Sequence, residues 1–110
     1  MDVEPLHITT AVSRHVPGTV VVTIAGELDT ATAPLLYETL RELGRPPVLE
    51  LDLTGVSHCS STALSVLFRT RDELAGTVRI RAAQRPVRRI IEILRLEAAF
   101  GLQDARGPAA

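Results

Sequence analysis

The spacing of apolar positions changes several times along the chain, and each change marks an element. Residues 6–16 read as a first strand, closed by a Pro17-Gly18 turn. Residues 19–25 (TVVVTIA) form a near-continuous β-branched run, the pattern of a central strand covered on both faces. Gly26-Glu27-Leu28-Asp29 leaves that strand as a loop. Ala33, Leu36, Tyr37, Leu40 and Leu43 then follow helical spacing, with Thr30 or Thr32 available as the cap and Pro34 in the first turn. Gly44 and Pro46-Pro47 stop this helix.

Residues 48–53 (VLELDL) are the next strand, with Leu49, Leu51 and Leu53 on one face. The polar stretch 54–61 separates it from a second helix that buries Leu64, Leu67, Phe68, Leu74 and Ala75 and ends at Gly76. Residues 77–82 (TVRIRA) alternate, with Val78, Ile80 and Ala82 inward and Arg79 and Arg81 outward. Pro86 opens a third helix with Val87, Ile90, Ile91 and Leu94 at i, i+3, i+4 and i+7. Phe100 and Leu102 anchor a last short strand, and residues 105–110 read as a frayed tail. The order β-β-α-β-α-β-α favours right-handed crossovers between parallel neighbours. The expectation is one α/β domain over residues 1–110, with its core in residues 6–103. It has a mixed central sheet of four to five strands and helices mainly on one face.

Composition narrows the function classes. At 110 residues there is room for one domain, and 45% hydrophobic residues suffice for a core. One cysteine, Cys59, excludes an intramolecular disulfide framework. His7, His15 and His58 are scattered, so no metal site is expected. No apolar run is long enough to span a bilayer, and the acidic start MDVEPLHITT lacks the parts of a signal peptide, so the cytoplasm is expected and membrane insertion is not. Aromatics are three in number (Tyr37, Phe68, Phe100) and the net charge is −1, which argues against nucleic-acid binding. All twelve basic residues are Arg. They are unevenly placed: residues 1–55 carry a net −5 and residues 56–110 a net +4. Six of them fall within residues 79–95, opposed only by Glu92, and an acidic protein surface suits this patch better than nucleic acid.

Candidate chemistry concentrates in residues 51–67 (LDLTGVSHCSSTALSVL), where a strand feeds a helix start. Ser60, Ser61 and Thr62 stand where the first helical N–H groups lack partners, so a serine here serves as an N-cap or as a modifiable hydroxyl. A phosphate at this place meets the positive end of the helix dipole and adds about −1.5 to −2 charge to an exposed rim. His58 and Cys59 are adjacent, yet sequence neighbours seldom converge as nucleophile and base, so no catalytic residue is assigned. Glu27 and Asp29 read as a polar loop, with Asp29 a candidate helix cap or contact residue. No glycine-rich phosphate-binding fingerprint occurs, and no cofactor is expected.

Two motifs in order resemble the STAS family of bacterial anti-sigma-factor antagonists. Asp52-Leu53-Thr54-Gly55-Val56 is similar to the strand end of the family signature, Ser61 falls on its phosphorylated serine, Thr62 on a variable small residue and Leu64 on its closing leucine. Gly26-Glu27-Leu28-Asp29 resembles the family's loop after the second strand. Four features depart from the pattern. Ser60 replaces an acidic residue, Ala63 a glycine and His58 a bulky apolar residue, and the usual C-terminal helix has no counterpart after Asp104.

The resemblance implies a non-enzymatic, protein-binding switch. The unphosphorylated form would bind an anti-sigma factor that is itself an ATP-dependent serine kinase, releasing a sigma factor. Phosphorylation at Ser61, with Ser60 or Thr62 as substitutes, would end the binding, and a separate phosphatase would restore it. Glu27, Leu28, Asp29, His58, Ser60, Ser61, Thr62 and Ala63 would form the contact surface of a monomer. The alternative within the same fold is an unphosphorylated STAS scaffold, in a signalling complex or a lipid-transport ABC assembly.

Overall fold

Four strands and three helices form in the computed structural model, which describes residues 6–13, 16–44, 46–73 and 77–101. Strands β1 (His7–Val12), β2 (Thr19–Leu28), β3 (Val48–Cys59) and β4 (Thr77–Ala83) make one sheet in the order β1-β2-β3-β4. β1 pairs antiparallel with β2, while β2, β3 and β4 run parallel. Helices α1 (Ala33–Glu42) and α2 (Ser61–Glu73) are the crossovers between the parallel strands, and α3 (Arg85–Ile93) follows β4. The mixed sheet and the element order are those expected.

The core lies on one side of the sheet. Val22, Ile24, Leu49, Leu51, Leu53, Val78 and Ile80 are buried together with Leu36 and Leu40 of α1, Leu64 and Leu67 of α2, and Val87 and Ile91 of α3. The β-branched run in β2 is therefore not covered on both faces: Thr23 is exposed and Val21 half-buried. Beside them on that open face, Glu50 accepts from Arg79 at 3.1 Å. Alternation, rather than the continuous apolar run, decides which side chains the helices cover.

Both motif segments extend strands instead of forming loops. β2 continues through Leu28 and β3 through Cys59, in register as Glu27 opposite His58 and Leu28 opposite Cys59. Register shifts fall between Thr23 and Ala25 and between Gly26 and Glu27. Gly26 sits there at φ 115°, a backbone conformation that a side chain resists.

The ends of the helices differ from expectation in detail. Leu94 is exposed at the C-cap of α3, since that helix closes one residue earlier. Tyr37 is only half-buried on α1, and its hydroxyl donates to Glu73 of α2. Residues 97–101 form turns rather than a strand. Phe100 nevertheless reaches the sheet: its carbonyl accepts from the Ile80 amide at 2.8 Å, and its buried ring meets Phe68 edge-on, with centroids 6.3 Å apart. Leu74, Ala75, Gly76, Leu102 and the tail at 105–110 lie outside the described residues.

Candidate functional site

Because β2, β3 and β4 run parallel, their carboxyl ends share one end of the sheet, and the β2–α1 and β3–α2 junctions meet there. The paired strand ends lock the two junctions together. The Ser60 amide donates to the Leu28 carbonyl at 2.8 Å, one step beyond the last register pair.

The β2–α1 turn is held by Asp29 and Thr32. One carboxylate oxygen of Asp29 accepts from the amides of Ala31 at 2.9 Å and Thr32 at 3.0 Å. The Thr32 hydroxyl donates to the Glu27 carbonyl at 2.8 Å and accepts from the Asp29 amide at 2.9 Å. The Thr32 amide, with smaller contributions from the Thr32 hydroxyl, the Ala31 amide and the His58 charge, holds the Asp29 carboxyl below its ordinary range. Thr32 occupies the N-cap position of α1, but its hydroxyl is spent on this turn and not on the helix. Sequence reasoning missed this lock; the Asp29-x-x-Thr32 spacing was its one signal.

At the β3–α2 junction the two serines divide their roles. The Ser60 hydroxyl accepts from the Ala63 amide at 3.2 Å, and its carbonyl accepts from the Leu64 amide at 3.1 Å. Ser60 is thus the N-cap, an interaction worth about 1 kcal/mol. Ser61 is the first residue of α2 and is exposed, as is Thr62. The Ser65 hydroxyl donates to the Ser61 carbonyl at 3.1 Å, one turn along the same helix face.

The structure brings Glu27, His58, Ser61 and Thr62 to the surface at this end, with Asp29 half-buried in the turn before α1 and Ser60 half-buried as the cap of α2. Two expected contact residues are placed elsewhere. Leu28 and Ala63 are both fully buried and belong to the core, so neither side chain is presented to a partner. The extra methyl at position 63 packs inward, because strand and helix periodicity both turn these positions toward the sheet.

His58 and Cys59 do not converge. Consecutive strand residues face opposite sides: His58 is exposed and Cys59 buried, and burial pushes the Cys59 thiol up to about 11. A thiol so held is protonated near neutral pH and inert as a nucleophile. No cluster of three His, Cys, Asp or Glu occurs among the described residues. Nor, among them, is any helix long and apolar enough to cross a membrane.

Comparison with known proteins agrees with this geometry. The family model of the STAS domain matches residues 10–108. Anti-sigma-F factor antagonist RsfB of Mycobacterium tuberculosis is 32% identical over 102 residues, spanning 89% of this chain and 83% of the relative. An anti-sigma factor antagonist from Mycobacterium paratuberculosis, solved by crystallography, superimposes with a TM-score of 0.69 at 34% identity, covering 86% of this chain and 83% of that one. SpoIIAA, an anti-sigma factor antagonist solved in its unphosphorylated form, shares the fold with a TM-score of 0.63 at 17% identity over 82% of this chain and 84% of that one.

Proposed function

The chain belongs to the STAS domain family and is an anti-sigma-factor antagonist, and we propose that it works as a charge switch at the start of α2. With Ser61 bare, the surface around Glu27, His58, Ser61 and Thr62 engages an anti-sigma factor in the cytoplasm and so frees a sigma factor. The anti-sigma factor acts as a serine kinase on Ser61, and a phosphatase reverses the modification. ATP and magnesium belong to that partner; this chain binds and does not catalyse.

The observation that carries this reading is the division between the two serines. Ser60 supplies the cap, which leaves the Ser61 hydroxyl exposed and unneeded by the fold. A phosphate there sits at the positive end of α2, where negative charge is favourable by about 0.3–1 kcal/mol. It also adds about −1.5 to −2 charge to a contact surface without disturbing the core. The scaffold alternative draws on Ser60 standing where the family has an acid. Ala63 lends it no support, because that methyl is buried.

The test is purification from the native cells, with mapping of phosphate on the peptide spanning residues 53–69. One phosphate on Ser61, with an anti-sigma factor of the kinase type co-purifying, is the expected result. Ser61→Asp is expected to abolish binding of that anti-sigma factor with thermal stability nearly unchanged, while Ser61→Ala keeps binding. Undiminished binding by Ser61→Asp would sink the switch. Absence of phosphate under every growth condition, with a transporter or scaffold bound instead, would favour the alternative.

A further inference from the structure

A second feature, on α3, does not depend on Ser61. Residues Arg85, Arg88, Arg89 and Glu92 fall at i, i+3, i+4 and i+7 of α3, so they form one stripe. With Ala83, at the end of β4, they line a cleft of about 410 Å³. Gln84, the N-cap of α3, anchors the cleft to the sheet: its side-chain amide donates to the Thr54 carbonyl at 2.6 Å.

Two arginines of this cleft, Arg85 and Arg89, differ from four others in the molecule in their partners. Arg41 pairs with Glu38, Arg69 with Glu73, Arg71 with Asp72 and Arg79 with Glu50, at 3.1–3.8 Å. Arg85 and Arg89 are exposed and have no acidic partner among the described residues. The first turn of α3 also holds no acid, and no side chain caps its free N–H groups. Arg85 and Arg89 therefore bring two guanidinium groups without an acidic partner, among the described residues, to one concavity, and Glu92 is the one acid that lines it.

We propose that this cleft docks an acidic segment of a protein partner, at a place separate from Ser61. Guanidinium groups spaced by one helical turn match carboxylates, each able to take a paired N–H contact. Glu92 sets the polarity: carboxylates lie toward Arg85 and Arg89, and a neutral or basic residue lies beside Glu92. Nucleic acid fits poorly. No aromatic lines the cleft for a base to stack on, Glu92 would face a phosphate backbone, and the chain as a whole carries −1.

The test uses the whole chain and a fluorescein-labelled octaglutamate peptide, followed by anisotropy. Wild type binds at about 50 mM salt and loses affinity toward about 500 mM, as screened charges do. Arg85→Glu/Arg89→Glu weakens binding about tenfold or more at unchanged melting temperature, because both side chains are exposed. Arg85→Gln/Arg89→Gln gives a smaller loss and serves if the reversed pair folds poorly. Arg41→Glu/Arg69→Glu, which changes net charge equally at paired arginines, leaves affinity within about twofold. Any of three results overturns the proposal: no binding by wild type at low salt, equal effects of the two charge-reversal pairs, or tighter binding of duplex DNA than of octaglutamate.

Discussion

Asp29 shows how much of the site rests on single polar atoms. Its carboxylate accepts two backbone amides in the turn that presents Glu27. The carboxyl therefore titrates below its ordinary value of 3.8, chiefly through the Thr32 amide. A depressed folded-state pKa gives stability that is present above the unfolded value and lost as pH falls through the folded one. Asp29→Asn is thus expected to be less stable than wild type near neutral pH, with the gap closing below about pH 3.8. Urea midpoints measured from neutral to acid pH check this; a gap that stays constant would mean that the charge contributes nothing. At this scale a capping serine was legible, because serine before an apolar helix run is a cap by simple chemistry, but the choice of Ser60 over Ser61 came from the structure. Leu28 and Ala63 were not legible, because their burial depends on which way each element turns.

At the scale of elements, the helices, β2 as far as Ala25 and the first half of β3 follow from periodicity, and the ends of β2 and β3 beyond them do not. Thr54, Gly55, Ser57, His58 and Ser60 have the composition of a loop. They are in or against a strand because β2 lies alongside and satisfies the backbone, a long-range fact that no local pattern carries. Gly55 records that neighbour directly. A Cβ built there would stand 2.8 Å from the Ala25 Cβ and 3.1 Å from both the Ala25 Cα and the Ile24 carbonyl oxygen. Two of those atoms are backbone, so the strands must part to admit it. Gly55→Ala is expected to destabilise the fold by about 1–3 kcal/mol, read as a lowered denaturant midpoint. The same separation displaces the Glu27–His58 pairing, so partner affinity falls with it. Unchanged stability would show that β3 can bow away from β2 without cost, and would undo the claim that these strand ends fix the site.

For the whole molecule, one core face ties all three helices to the sheet, and the proposed switch residue Ser61 stands outside it. Ser61 is exposed, and the hydroxyl that caps α2 belongs to its neighbour. A charge added at Ser61 therefore has no buried contact to break and no second packing to drive. Its action is local repulsion and desolvation at a surface, screened beyond about 8–10 Å at physiological salt. The amide spectrum of Ser61→Asp is accordingly expected to match wild type outside the two junctions, with shifts confined to residues 26–32 and 57–66. Phosphorylated protein should show the same map with larger shifts, since its charge is greater. Amides of α3 and the outer edge of β1 serve as the control. Shifts spreading into them would mean that the modification works by repacking the fold, and the switch would then be conformational and not electrostatic.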